Sequence, residues 1–278
     1  MPRGRDGTNL SNIRQDLSKA LSNTKADSSG EEKQVDEAIQ KLAKMIGEAK
    51  NVVFFGGAGV STASGIPDFR SAHGIYSGAQ GRSYEEMLSH GYFMRHMDAF
   101  WAFYRNVMLY PNARPNAAHR ALARLEEQGK LSAVLTQNID GLHQAAGSEN
   151  VLELHGTVHR NFCMRCGKET DLSYVVEADG TPVCPECGGR LKPDVVLYGE
   201  ELDGDVVTRA LDAIRRADLI IVGGTSLVVQ PAAGFIMYRR PSCALALVNR
   251  DETPYDEHAD LVIHQDLCEV LDTVIPQC

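Results

Sequence analysis

Apolar residues fall in short unbroken runs along most of this chain, separated by longer stretches with a helical period. After a polar leader, VDEAIQKLAKMIGEAK places Ile39, Leu42, Ala43 and Ile46 on one helix face. The apolar run NVVFF follows directly and ends in glycines. The same grammar recurs in KLSAVLTQN, ADLIIVGGTS, CALALVNRD and ADLVIHQD, each short and closed by polar or glycine residues. Strands buried on both faces read this way, without the alternation of a half-exposed sheet. Helices are predicted between them at NAAHRALARLEEQG and DVVTRALDAIRRA. The pattern predicts an α/β fold with an open, doubly wound, Rossmann-like parallel sheet.

Two segments break that rhythm. Residues 72–110 hold aromatic-rich helical pieces and no strand, and residues 158–192 hold two cysteine pairs. Both read as insertions that build a smaller domain, one helical and one resembling a zinc ribbon. The sheet domain is then assembled from 34–71, 111–157 and 193–278. Residues 1–33 are polar and mixed in charge, and read as a poorly ordered extension with a short helix around Ile13–Leu21. No internal repeat is visible.

Composition narrows the classes. The 278 residues carry 28 Lys and Arg against 37 Asp and Glu, a formal net charge of −9. That balance argues against direct nucleic-acid binding, which depends on neutralising phosphates. The first residues lack the apolar core of a secretory signal, and no uninterrupted apolar run reaches membrane-spanning length. A cytoplasmic protein with no membrane partner is expected, with a monomer as the default state.

Four of the seven cysteines form C-x2-C-x17-C-x2-C, at Cys163, Cys166, Cys184 and Cys187. Four thiolates saturate tetrahedral Zn²⁺ and leave no open position, which makes such a site structural. The other readings are redox pairs or unrelated thiols. Few apolar residues surround the pairs, so a bound ion would supply folding energy directly.

Three further clusters close predicted strands. In GGAGVSTASGIPDFRS, Gly56, Gly57 and Gly59 allow a tight turn whose amides can approach a pyrophosphate at a helix N-terminus. The spacing departs from G-x-G-x-x-G, and no acidic residue follows the second strand to hold a ribose. GGTS brings Thr225 and Ser226 to another strand end, and Asn249 ends the next. TQNIDGLH puts Asn138 and Asp140 on one side of an extended segment. LELHG presents His155, a candidate general base because its ordinary pKa lies near neutrality. His119 reads as helix packing or an N-terminal contact, and His143 as a supporting residue. No serine or cysteine nucleophile stands in a recognisable motif beside His155.

Taken together, GAGVSTASGIPDFRS, TQNIDGLH, LHG, the two cysteine pairs, KPDVVLYGE, GTSLVVQPAA and VNR resemble the sirtuin family of NAD-dependent protein lysine deacylases. The motifs keep the family order from about residue 35 to residue 275. The resemblance implies that NAD is consumed as co-substrate and that one structural Zn²⁺ is bound. Gly57, Ala58 and Gly59 would lie along the pyrophosphate, with Gly224, Thr225 and Ser226 closing the same site. Asp68 and Ile66 would receive nicotinamide, and Phe69 would screen the reacting ribose. Arg70, Gln137, Asn138 and Asp140 would hold ribose and diphosphate, Asn249 the adenosine ribose, and the backbone near Cys268 the adenine. Val196, Tyr198, Gly199 and Glu200 would bind an extended acylated-lysine peptide, by added-strand pairing that tolerates many sequences.

The implied reaction has the acyl oxygen attack C1′ of the nicotinamide ribose, with Asn138 and Asp140 holding that ribose. His155 then takes a proton so that the 2′-oxygen can attack, and lysine and O-acyl-ADP-ribose are released. Tyr198 stands where the family often has Phe. Dicarboxylate-removing relatives carry Tyr-x-x-Arg in the helical insertion, whereas here Tyr104 is followed three positions later by Val107, so neutral acyl groups fit better. The alternatives are a protein ADP-ribosyltransferase and a non-enzymatic NAD or ADP-ribose sensor. The run of five acids in 194–205 suggests a preference for lysine-rich peptides, against the plainer reading of a solvated face.

Overall fold

The computed structural model describes residues 33–68 and 84–276. The expectations for residues 1–32, and for the start of the helical insertion before residue 84, lie outside them. In chain order the strands are β1 (Val52–Gly56), β2 (Leu131–Thr136), β3 (Val151–Glu153), β4 (Gly156–Cys163), β5 (Glu169–Asp171), β6 (Leu191–Val195), β7 (Leu219–Gly223), β8 (Ala244–Val248) and β9 (Leu261–Ile263). Six of them form the parallel sheet in the order β3-β2-β1-β7-β8-β9. The five apolar runs read as strands are all present. The sixth, β3, overlaps the start of the LELHG stretch.

Alternate residues of each central strand enter opposite cores. Val52 and Phe54 pack on one face with helix α1 (residues 33–48), including Leu42 and Ile46. Val53 and Phe55 pack on the other. Each of these four β1 side chains is fully buried, and burying a side chain of this size contributes roughly 1.5–3 kcal/mol.

The helical insertion comprises α2 (Tyr84–Met87), α3 (His90–Arg95) and α4 (Met97–Phe103), followed by a π-helical turn, Tyr104–Met108. Helix α5 (Ala117–Glu127) returns the chain to the first face. It starts at Asn116, whose side chain accepts from the Ala118 and His119 amides while the His119 ring accepts from the Asn116 amide. A short helix, α6 (Leu142–Ala145), follows β2, and α7 (Leu172–Glu177) crosses the cysteine-bearing segment. Helix α8 (Gly204–Arg216), capped by Asp203, covers the second face, and α9 (Leu267–Val274), capped by Asp266, joins the first.

A second sheet, antiparallel and ordered β5-β4-β6, carries the cysteine pairs. It shares one core with the helical insertion: Phe100, Trp101 and Tyr104 pack in the same cluster as Cys163, Cys184, Leu191 and Val195. Arg105 fastens the two further, donating to the Val175 and Gly180 carbonyls at 2.7 Å each.

Candidate active site

Strand β1 sits between β2 and β7, so the chain winds outward from it in both directions and a crevice opens at its carboxyl end. The turn after Gly56 enters that crevice. Two 3₁₀ turns, Ala58–Val60 and Thr62–Ser64, occupy the place where an α-helix N-terminus was expected. The Gly59 amide donates to the Gly224 carbonyl at 2.8 Å, locking the first glycine turn to the end of β7. Gly224 has φ +59°, and a Cβ there would lie 2.4 Å from the Val60 nitrogen, so the crossing of the two turns admits only glycine. Gln137, at the end of β2, donates through Nε2 to Thr225 Oγ1 at 3.0 Å and joins a third strand end to the same floor.

A cleft of about 860 Å³ opens above this floor. Gly57, Ala58, Gly59, Ile66, Asp68, Gln137, Asn138, Asp140, His155, Val196, Tyr198, Gly199, Glu200, Gly224, Thr225, Ser226, Asn249 and Cys268 all line it. Phe69 and Arg70 lie outside the described residues.

Sequence reasoning left out the residue that ties this polar cluster together. Ser61, buried, donates to Asp140 Oδ2 at 2.7 Å and accepts from Asn138 Nδ2 at 3.1 Å. Asp140 also accepts the Leu142 amide at 2.9 Å. The signal was Ser61's place in GAGVS, a polar position directly after an apolar one. Asn116 was missed as well: it donates to the Val60 carbonyl and to Ser64 Oγ, holding the glycine turn against α5.

His155 follows β3, and its Nδ1 lies 3.0 Å from the Gln137 carbonyl. A carbonyl only accepts, so Nδ1 carries the proton and Nε2 keeps the lone pair in the neutral ring. Burial lowers the pKa of His155 and outweighs the opposing pull of that carbonyl. The next residue, Gly156, has φ +74°, and a Cβ on it would fall 2.0 Å from the Asp194 carbonyl oxygen. The imidazole is therefore presented by a turn pressed against β6.

His119 and His143 lie beneath the cleft, fully buried, with ring centroids 4.7 Å apart. Burial drives the His119 pKa down to about 4, against the pull of Asp140 and with the help of Arg120. Burial and the His119 charge take His143 to about 3. Both are neutral packing residues at physiological pH.

The segment after β6 forms another wall. The Val196 amide is spent on the His155 carbonyl at 3.0 Å, so Val196 offers an incoming group its own carbonyl. Tyr198 pairs with residues beside Ser89, its amide on the Leu88 carbonyl and its carbonyl on the His90 amide. Three of the five acids in 194–205 are committed: Asp194 to Arg160, Glu200 to Lys192 and His90, and Asp203 to the α8 cap. This weakens the acidic run as a reader of basic peptides.

The four thiols Cys163, Cys166, Cys184 and Cys187 meet away from the cleft, with every sulfur within 4.8 Å of the others. The sulfurs lie 3.5 Å apart for Cys163–Cys187, 3.7 Å for Cys166–Cys184 and 3.4 Å for Cys166–Cys187. A tetrahedral thiolate site with bonds near 2.3 Å requires about 3.8 Å between sulfurs, so the cluster fits a metal ion.

The Sir2 family model matches residues 57–231. An NAD-dependent protein deacetylase of Clostridium acetobutylicum is 55% identical over 242 residues, which cover 86% of this chain and 98% of that protein. One of the same description from Clostridium perfringens is 52% identical, covering 87% and 100%. Among solved structures, a Sir2 with p53 peptide and NAD+ superposes with a TM-score of 0.76 at 38% identity, covering 85% of this chain and 96% of that one. A Sir2 homologue in complex with NAD gives 0.78 at 39% identity, covering 85% and 92%. On this agreement of family model, close relatives and fold, the chain belongs to the Sir2 family, the sirtuins.

Proposed function

We infer that the cleft takes an acyl group from a protein lysine and passes it to the ADP-ribose portion of NAD with release of nicotinamide, the chain being an NAD-dependent protein deacetylase. One observation carries the residue assignment: a neutral histidine, with its Nδ1 proton fixed on a backbone carbonyl, stands in the same cleft as the glycine floor. NAD supplies the electrophilic anomeric carbon and the ribose hydroxyl that receives the acyl group. We assign the diphosphate to Gly57, Ala58, Gly59, Gly224, Thr225 and Ser226, the adenosine end to Asn249 and Cys268, and nicotinamide to Ile66 and Asp68. Phe69 and Arg70 retain the roles implied by the motif. Gln137, Asn138 and Asp140 hold the reacting ribose, the last two fixed by Ser61. His155 accepts a proton at Nε2, which its neutral tautomer leaves free.

Acylated-lysine peptides bind against Val196, Tyr198, Gly199 and Glu200, in extended form. Arg105 is drawn away to the Val175 and Gly180 carbonyls, and the π-helical turn shows the cleft Val107 and Met108 instead. This supports neutral over dicarboxylic acyl groups. Arg114 also lines the cleft and is the counter-candidate.

The four cysteines are assigned to one structural Zn²⁺, within a smaller unit made of residues 72–110 and 158–192. A cytoplasmic monomer completes the reading. Among the described residues no helix is long and apolar enough to cross a membrane.

The test is nicotinamide release from acetyl-lysine and succinyl-lysine forms of one peptide. The acetyl form should turn over only with NAD, and His155→Ala should lose about 10²-fold or more in turnover while still binding NAD. Parent-rate turnover by that variant would remove His155 as the base. Succinyl turnover that Arg114→Ala abolishes would overturn the neutral-acyl reading.

A further inference from the structure

The carboxylate of Glu200 joins three separate parts of the fold. Oε1 meets His90 Nδ1 at 2.8 Å, at the start of α3. Oε2 meets Lys192 Nζ, on β6, at 3.0 Å and accepts the Leu197 amide at 2.9 Å. Its side chain is only 18% exposed, and the pKa lies below the ordinary carboxylate value: burial opposes ionisation, and the Leu197, His90 and Lys192 contacts overcome it. Lys192 is itself anchored, donating to the Pro193 and Val195 carbonyls at 3.2 and 3.0 Å. His90 is anchored through its backbone, its amide accepted by the Tyr198 carbonyl at 3.0 Å.

The backbone between these contacts is the segment assigned to the peptide. Its amides at Val196, Leu197, Tyr198 and Glu200 are all spent within the protein, on His155, Glu200, Leu88 and Leu197 respectively. Among the described residues, what it can still offer an extended chain is concentrated at Gly199 and at the Val196 and Glu200 carbonyls. A pairing surface this small gives useful affinity only if its groups are already in place, because ordering them on binding would consume the gain.

We propose that His90 and Lys192 are positioning residues for the acyl-lysine peptide, acting through the Glu200 carboxylate to hold segment 196–200 in its pairing conformation. The proposal rests on the deacetylase reading; it adds His90, which lies outside the quoted motifs, and gives a role to Lys192, the residue that opens KPDVVLYGE. His90 belongs to the helical insertion, so the same contact makes that insertion part of the peptide-binding wall.

Steady-state kinetics with one acetyl-lysine peptide separate the possibilities. His90→Ala and Lys192→Met should each raise the peptide KM about fivefold or more. Both should keep the parent's kcat at saturating peptide, its KM for NAD and its melting temperature. His90→Asn, whose amide N–H can replace Nδ1–H, should recover most of the loss. Parent-like peptide KM in both His90→Ala and Lys192→Met overturns the proposal. So does a loss shared equally by peptide KM, NAD KM and melting temperature with no recovery in His90→Asn, which would mark a purely structural contact. Absence of NAD-dependent turnover in the parent protein would instead sink the deacetylase reading.

Discussion

At the scale of single residues, hydrogen bonds within the protein hold the polar side chains of the cleft. The Gln137 carbonyl holds the His155 Nδ1 proton, and Ser61 holds Asn138 and Asp140 in register. Burial pushes the His155 pKa below its usual 6.5. In the proposed role the base is the neutral ring, and a lowered pKa keeps it neutral further into acid. The acid limb of kcat/KM should therefore fall below pH 6.5, with activity rising as pH increases through it; a limb above 6.5 would contradict the assigned environment. Most of the proposed site was legible because its residues sit in short strings at strand ends. Ser61 and Asn116 were not, because their importance lies in bonds across 79 and 56 positions of sequence. The carboxylate of Glu200 was misjudged for the same reason: its charge was visible in the sequence and its three internal donors were not.

At the scale of elements, the apolar runs identified five of the six parallel strands, because a strand buried on both faces needs an uninterrupted apolar string. Strand β3 escaped notice, since three residues with one buried position between two half-buried ones carry too little pattern. The antiparallel sheet was hidden for a different reason. Strand β4 lacks regular alternation, β6 alternates over only five residues with a proline at its centre, and the sheet shares its core with the helical insertion and with Cys163 and Cys184. The junction between the two sheets is the turn at Gly156. Gly156→Ala combines a positive φ with a Cβ 2.0 Å from the Asp194 oxygen, so β6 must move away from His155. It should lower stability by about 2 kcal/mol or more and reduce turnover beyond what the loss of folded protein explains. Parent-like melting and turnover would show that the turn has slack.

At the scale of the whole molecule, the described part of the helical insertion and the cysteine-bearing segment share one core. Loss of the proposed metal would leave Cys163 and Cys184 unligated in the core they share with Trp101 and Tyr104, which also contains Leu88, Val195 and Leu197 from the cleft wall. Verified chelation should therefore lower the melting temperature and weaken acetyl-peptide binding along with it. Unchanged stability after demonstrated metal loss would refute a structural role. The parallel sheet has a consequence in time as well as in space. The two partners of β1 are unequally distant, β2 beginning at Leu131 and β7 at Leu219. Every buried residue of the insertion core lies between Leu88 and Leu197, so a nascent chain contains that body entire before β7 has been made. Closing contacts between near neighbours costs less chain entropy than closing those between distant ones. The thiol-bearing body can thus assemble while β1 still lacks one side, and the cleft floor is completed last. A chain stopped just before Leu219 would keep all four clustered thiols and lack Gly224 and Thr225, the β7 side of the cleft floor.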